Sequence, residues 1–205
     1  MAIISNATTI ADAGAFSVSL GSMVHIKTLT ASSSATLSFV HGTADVVLDS
    51  TYPIYVFKFI NMHPQNDDVT FSFQGNAVGE SGYNETITST AFYTQNREDN
   101  SATALEYRTG EDQAQGTAFQ PLSEGLGNAN DESLAGTLRL FNPSSTTFVK
   151  HFMTTTTYTR YNERLYNFYI AGYFNTTSAI DEIQFKMESG NIDAGQIKLY
   201  GIKDS

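Results

Sequence analysis

The sequence predicts an all-β protein, an antiparallel two-sheet sandwich of the jelly-roll type with one long polar loop. Three observations lead there. Charged residues make up only 16% of the chain and aromatics 12%, all Phe and Tyr, while Ser, Thr, Asn and Gly abound, a composition that favours strands over helices. Runs of alternating apolar and polar residues recur along most of the chain, separated by Gly, Pro, Asn and Asp breaks. No helical period falls between consecutive runs, so a βαβ arrangement is excluded. With 205 residues the chain is long enough for one sizeable β domain.

In chain order, residues 23–29 alternate Val24 and Ile26 against His25 and Lys27, and residues 37–40 read as a short strand after a Ser/Ala-rich turn. Residues 1–44 are expected to be an N-terminal β segment or docking arm, and 45–205 the jelly-roll domain, or the two together one continuous domain. The stretch TYPIYVFKFINMHPQNDDVTFSFQ, 51–74, is the centre of the reading. Its first half carries Tyr55, Phe57 and Phe59 on one face and Ile54, Val56 and Ile60 on the other, which belongs in the middle of a sheet. Its second half places Val69, Phe71 and Phe73 inward and Thr70, Ser72 and Gln74 outward. The Pro64–Asp68 break between them predicts a hairpin.

Strand character resumes at 86–93 and then gives way to the longest polar interval, 94–133. This interval carries eight carboxylates against Arg97 and Arg108, a net −6 within a chain of −10. It is expected to be the outward or intersubunit surface, and a short helix is compatible with 96–107. Beyond it, residues 134–141, 148–159, 165–174, 180–187 and 196–202 all read as strands. Ile183, Phe185 and Met187 point inward, with a Ser189–Gly195 turn before the last strand.

The net charge of −10 without any Lys/Arg cluster argues against nucleic-acid binding. The absence of Cys removes disulfides, thiolate nucleophiles and Cys-ligated metals. The opening MAIISNATTIADAG lacks the features of a signal peptide, and no run approaches the roughly 20 apolar residues of a membrane span. Synthesis in the cytoplasm without membrane insertion is therefore expected. His25, His41, His63 and His151 have no metal-site spacing, and His25 and His151 are expected on outward faces. Asp67–Asp68, Asp131–Glu132 and Asp181–Glu182 offer carboxylates for calcium or a glycosidase, but no Trp platform accompanies them. No catalytic residue, metal or cofactor is predicted, and the protein is read as a non-enzyme.

Strand faces that carry Thr, Ser and Asn instead of Lys and Glu lack the usual protection against edge and face association. Thr154–Thr157 is the densest such patch, and the sparse charge extends over most of the chain, which points to assembly.

Three stretches, 51–74, LAGTLRLFNPSSTTFVKHF (134–152) and IDEIQFKMESGNIDAGQIKLYGIKD (180–204), together with EDQAQGTAFQPL (111–122), resemble virion or tail-associated proteins of marine tailed bacteriophages, including cyanophages. The resemblance runs from about residue 45 to the end. It implies a non-enzymatic virion structural protein, either a tail fibre or appendage subunit or a capsid-decoration subunit. Its partners would be other virion proteins and copies of itself, with a trimer the favoured symmetry. The alternative is a lectin-like host-recognition module binding a surface glycan, for which Tyr83, Tyr107, Asn128, Asn130 and Asp131 are the candidate ligand or interface residues.

Overall fold

The computed structural model describes residues 3–5, 8–12, 15–16 and 22–203. Sixteen strands and no helix occur among them. They are β1 (Ile3–Ser5), β2 (Thr8–Asp12), β3 (Ala15–Phe16), β4 (Met23–Thr30), β5 (Leu37–Val40), β6 (Ile54–Pro64), β7 (Phe71–Ala77) and β8 (Ile87–Arg97). After these come β9 (Thr103–Tyr107), β10 (Ala114–Gly116), β11 (Gln120–Pro121), β12 (Leu134–Phe141), β13 (Lys150–Arg160), β14 (Arg164–Phe174), β15 (Ile180–Met187) and β16 (Ile192–Ile202).

The sheets have the order β10-β8-β14-β13-β12-β6-β16-β4, with β9 also on β8, and β11-β7-β15-β5. A separate three-stranded sheet joins β1, β2 and β3. With β8–β10 and β13–β14 set aside, the chain alternates between the two main sheets at almost every step. It runs β4 large, β5 small, β6 large, β7 small, β11 small, β12 large, β15 small, β16 large. This is the winding of a jelly roll. Strands β13, β14 and β8 then widen the large sheet beyond β12.

A cluster of phenylalanines holds the sheets together because alternation aims every second side chain of each strand at the opposite layer. Phe185 of β15 lies 5.4 Å from Phe57 and 5.3 Å from Phe59 of β6, centroid to centroid, and Phe39 of β5 lies 5.2 Å from Phe57. All four rings are at most 2% exposed. Edge-to-face pairs of this kind add about 0.5–1.5 kcal/mol each beyond their burial. Phe73 of β7 extends the contact to Phe152 of β13 at 5.1 Å and thereby ties the widened part of the sheet to the smaller one.

Several expectations hold and several need correction. β6 does occupy the middle of the large sheet, between β12 and β16, and Val69, Phe71 and Phe73 are buried. The predicted β6–β7 hairpin does not form. The two strands belong to different sheets, so residues 65–70 bridge the layers instead of folding back. The same holds for β15 and β16. The outward polar residues of β7 are also buried, with Ser72 at 5% and Gln74 at 0% exposure. Gln74 survives there because its amide donates to the carbonyls of Glu85, Thr117 and Ala118.

The polar interval 94–133 is not a loop throughout. Residues 96–107, where a helix was compatible, form the β8–β9 hairpin instead. Residues 111–119 stay at the surface, with 114–116 as an edge strand on β8, and residues 120–126 turn inward beneath the widened sheet. Gln120, Leu122, Ser123 and Leu126 are fully buried. The Thr156 hydroxyl donates to the Leu122 carbonyl at 2.6 Å, and the Glu124 amide donates to the Tyr158 hydroxyl at 2.8 Å. The interval is therefore lining as much as outward surface.

The boundary expected at residue 44 falls between β5 and β6. On its N-terminal side β4 pairs with β16 and β5 with β15, so each main sheet takes one strand from that part of the chain. The rest of the docking-arm expectation, at residues 1–2, 6–7, 13–14 and 17–21, lies outside the described residues.

Candidate functional site

The outer face of the large sheet carries the most unusual surface of the molecule. Period-two alternation that buries Phe152, Tyr166, Phe168 and Ile170 necessarily turns their neighbours outward. Antiparallel register then lines those neighbours up in rows. One row reads Tyr107, Phe92, Tyr169, Thr155, Thr137, Lys58, Lys198, Thr28 across eight strands. The next reads Thr90, Ala171, Met153, Arg139, Val56, Tyr200, His25. Phe92 and Tyr169 stack with centroids 4.9 Å apart and planes at 11°. Met153 is 54% exposed in the middle of the face, which is far from what a solvated sheet normally presents. It borders two shallow hollows of about 250 and 440 Å³, one beside Phe92, Arg139 and Tyr169, the other beside Phe141, His151 and Tyr173.

Charge in the central rows of this face has one sign. Their ions are Lys58, Arg139 and Lys198, although the whole chain carries −10; the outward carboxylate of Asp193, at the start of β16, lies apart from them, 3.6 Å from His63. Lys58 and Lys198 stand directly opposite each other in the β6–β16 register, an arrangement that repels. Lys58 rests 5.0 Å from the Tyr200 ring centroid, and none of the three cations belongs to an ion pair among the described residues.

Of the residues singled out from the sequence, Asn128 and Asp131 line one cleft, while Tyr83 and Tyr107 lie apart from it. Tyr107 stands at the margin of the face, opposite Phe92, and its hydroxyl donates to Asp112 at 2.6 Å, which raises its pKa. Tyr83 sits elsewhere with φ 48°, its hydroxyl beside Glu182 of β15 and Ser38 of β5, and burial pushes its pKa up to about 12. Asn128 caps the β6–β7 bridge, its amide nitrogen donating to Asp67 at 3.2 Å and its side chain to the Gln65 carbonyl at 3.1 Å. Asn130 and Asp131 are exposed beside it. Of these five residues only Tyr107 touches the large face. The others were chosen as polar loop residues, a signal that says nothing about where loops meet. The expected outward placement of His25 and His151 is found, and both lie on this face.

Two further clefts were not anticipated. At the end of the sandwich where β8, β13 and β14 turn, a cleft of about 280 Å³ is lined by Asp67, Glu98, Asp131, Glu132 and Glu163, five carboxylates from four connections. No group of three or more His, Asp or Glu suited to a metal ion occurs among the described residues. On the outer side of the small sheet a cleft of about 620 Å³ contains Glu111, Glu188, Ser72 and Phe119, with the Lys186 ammonium 4.1 Å above the Phe119 ring. Burial raises the Glu111 pKa, and Glu124 and Glu188 nearby reinforce the shift. Sequence spacing could not show this pair, since 77 positions separate its members and only the fold joins them.

No protein-family model, no curated protein and no solved structure matches this chain.

Proposed function

We propose that this protein is a non-enzymatic structural subunit of a bacteriophage virion, in a tail fibre, tail appendage or capsid decoration, and that it works by protein–protein contact. The outer face of the large sheet carries the reading. Its central rows, across eight strands, present Thr, aromatic and Met side chains with three cations and no carboxylate, a surface that folding alone does not require. The resemblance of residues 45–205 to marine-phage virion proteins points the same way. Under this reading copies of the chain associate, with a closed ring such as a trimer the expected form, and the finished protein resides in the particle.

Light scattering behind gel filtration at tens of micromolar tests the association. The expected result is a multiple of 22.4 kDa for the natural chain and a monomer for Phe92→Glu combined with Met153→Glu. Mass spectrometry of purified particles of the encoding phage tests the location. A strict monomer that is missing from the particles would overturn the reading.

The alternative, glycan recognition, is favoured by one observation only: the cleft in which Phe119, Glu111, Glu188 and Ser72 converge. It moves that reading away from Tyr83, Tyr107 and Asn128–Asp131. Saturable binding on a host-polysaccharide array that is lost in Phe119→Ala supports glycan recognition, and a blank array removes it.

A further inference from the structure

We infer that the occupant of the large face is the acidic end of a second copy of this chain, so that copies join head to tail. The inference rests on the assembly reading above and names the partner surface.

Both halves of such a contact are present on one molecule. The receiving half is the cation group of the face, Lys58, Arg139 and Lys198 on the neighbouring strands β12, β6 and β16. Lys58 and Lys198 are cross-strand partners without a carboxylate, so the isolated subunit keeps a repulsive pair that an incoming anion would relieve. The donating half is the cleft lined by Asp67, Glu98, Asp131, Glu132 and Glu163. None of these five belongs to an ion pair among the described residues either, whereas Glu124 nearby is shared by Arg108 and Arg160. Among the described residues, then, neither set has an ion-pair partner, although the buried Glu132 carboxylate accepts from the Ala129 amide and Asp67 from the Asn128 amide.

Pairing the centre of the face with itself across a two-fold axis would put Thr, aromatic or cationic rows opposite the lysines and would bring none of the five cleft carboxylates to them. End against face is a heterologous contact, which closes into a ring when the rotation per copy divides a full turn. The apolar part of the face, Phe92, Tyr169 and Met153, then lies next to the charged contact and contributes area to it. Complementary potentials of this kind set orientation and on-rate.

Charge reversal on each side tests the contact. The face variant is Lys58→Glu with Lys198→Glu, the end variant is Asp131→Lys with Glu163→Lys, and the third protein carries all four changes. Each alters exposed or half-exposed side chains, and circular dichroism verifies the fold. Expected at low salt are oligomers for the natural chain, monomers of 22.4 kDa for either two-residue variant, and oligomers again for the four-residue variant. Raising salt from about 50 to 500 mM is expected to weaken association of the natural chain at least about tenfold. Retained assembly of either two-residue variant, or loss without rescue in the four-residue variant, overturns the inference. If Phe92→Glu with Met153→Glu still dissociates in that case, the assembly reading stands alone. A natural chain that is monomeric throughout overturns both.

Discussion

The two faces of the large sheet are made by the same strands yet obey different rules. On β13, Phe152, Thr154, Thr156 and Tyr158 point inward, all at most 4% exposed, while His151, Met153, Thr155 and Thr157 alternate with them outward and are exposed. The inner set is dictated by packing: rings meet rings, and Thr156 is admitted because its hydroxyl finds the Leu122 carbonyl. The outer set meets no such demand. Met153 and Phe92 stay exposed there, and the three cations of its central rows have no ion-pair partner among the described residues, which is why the assembly proposed above is placed on this side.

The largest effect that would sharpen this contrast is expected at Phe185, where five other rings converge. Phe185→Ala should cost about 3–5 kcal/mol in urea unfolding, and a cost below about 1 kcal/mol would break the account of the inner face. Next is Glu124, whose carboxylate holds Arg108 and Arg160 over the Tyr93 and Tyr166 rings. Glu124→Gln should lose about 2 kcal/mol and loosen residues 108–126, which hydrogen exchange would locate.

Alkaline pH gives a third measure. Burial pushes Tyr55 and Tyr83 up to about 12 and Tyr158 higher still. Unfolded tyrosines ionise near 10. The folded state thus holds protons that the unfolded state releases, so the stabilisation is complete below pH 10 and is lost as pH rises toward 12. Thermal melts between pH 9 and 12 should fall steeply in that window, and absorbance near 295 nm should show tyrosines ionising together with unfolding. The smallest change is expected on the outer face. Met153→Thr should shift stability by less than about 0.5 kcal/mol while weakening assembly, which separates the roles of the two faces.

Much of the inner face was legible in the residues themselves. Tyr55, Phe57 and Phe59, then Ile183, Phe185 and Met187, announce their side by alternation, and all are buried. The partner of each strand was not legible. Pro64–Asp68 has the composition of a hairpin turn and nevertheless carries the chain between sheets, because a turn-forming sequence limits the local bend and not the destination. Gly201 shows a similar dependence on distant chain: a Cβ there would lie 2.3 Å from the Tyr52 ring, a neighbour only the fold supplies.

The candidate site divides in the same way. His25, His151 and the uncharged Thr run of 154–157 could be placed from the sequence, and half of that run does face outward. The cationic centre of the outer face could not, since its cations come from β6, β12 and β16 and the stacked rings beside it from β8 and β14.

From sequence alone come the all-β class, the positions of the long strands outside 94–133 and the apolar side that most of them bury, because these depend on local periodicity and on hydrophobic burial. Tertiary structure alone decided that residues 120–126 line the core and that five carboxylates meet at one end. It also decided that three cations without an ion-pair partner among the described residues share one face. Such groupings depend on which strands become neighbours, and that choice is made by long-range pairing between residues up to 179 positions apart, as for Met23 and Ile202.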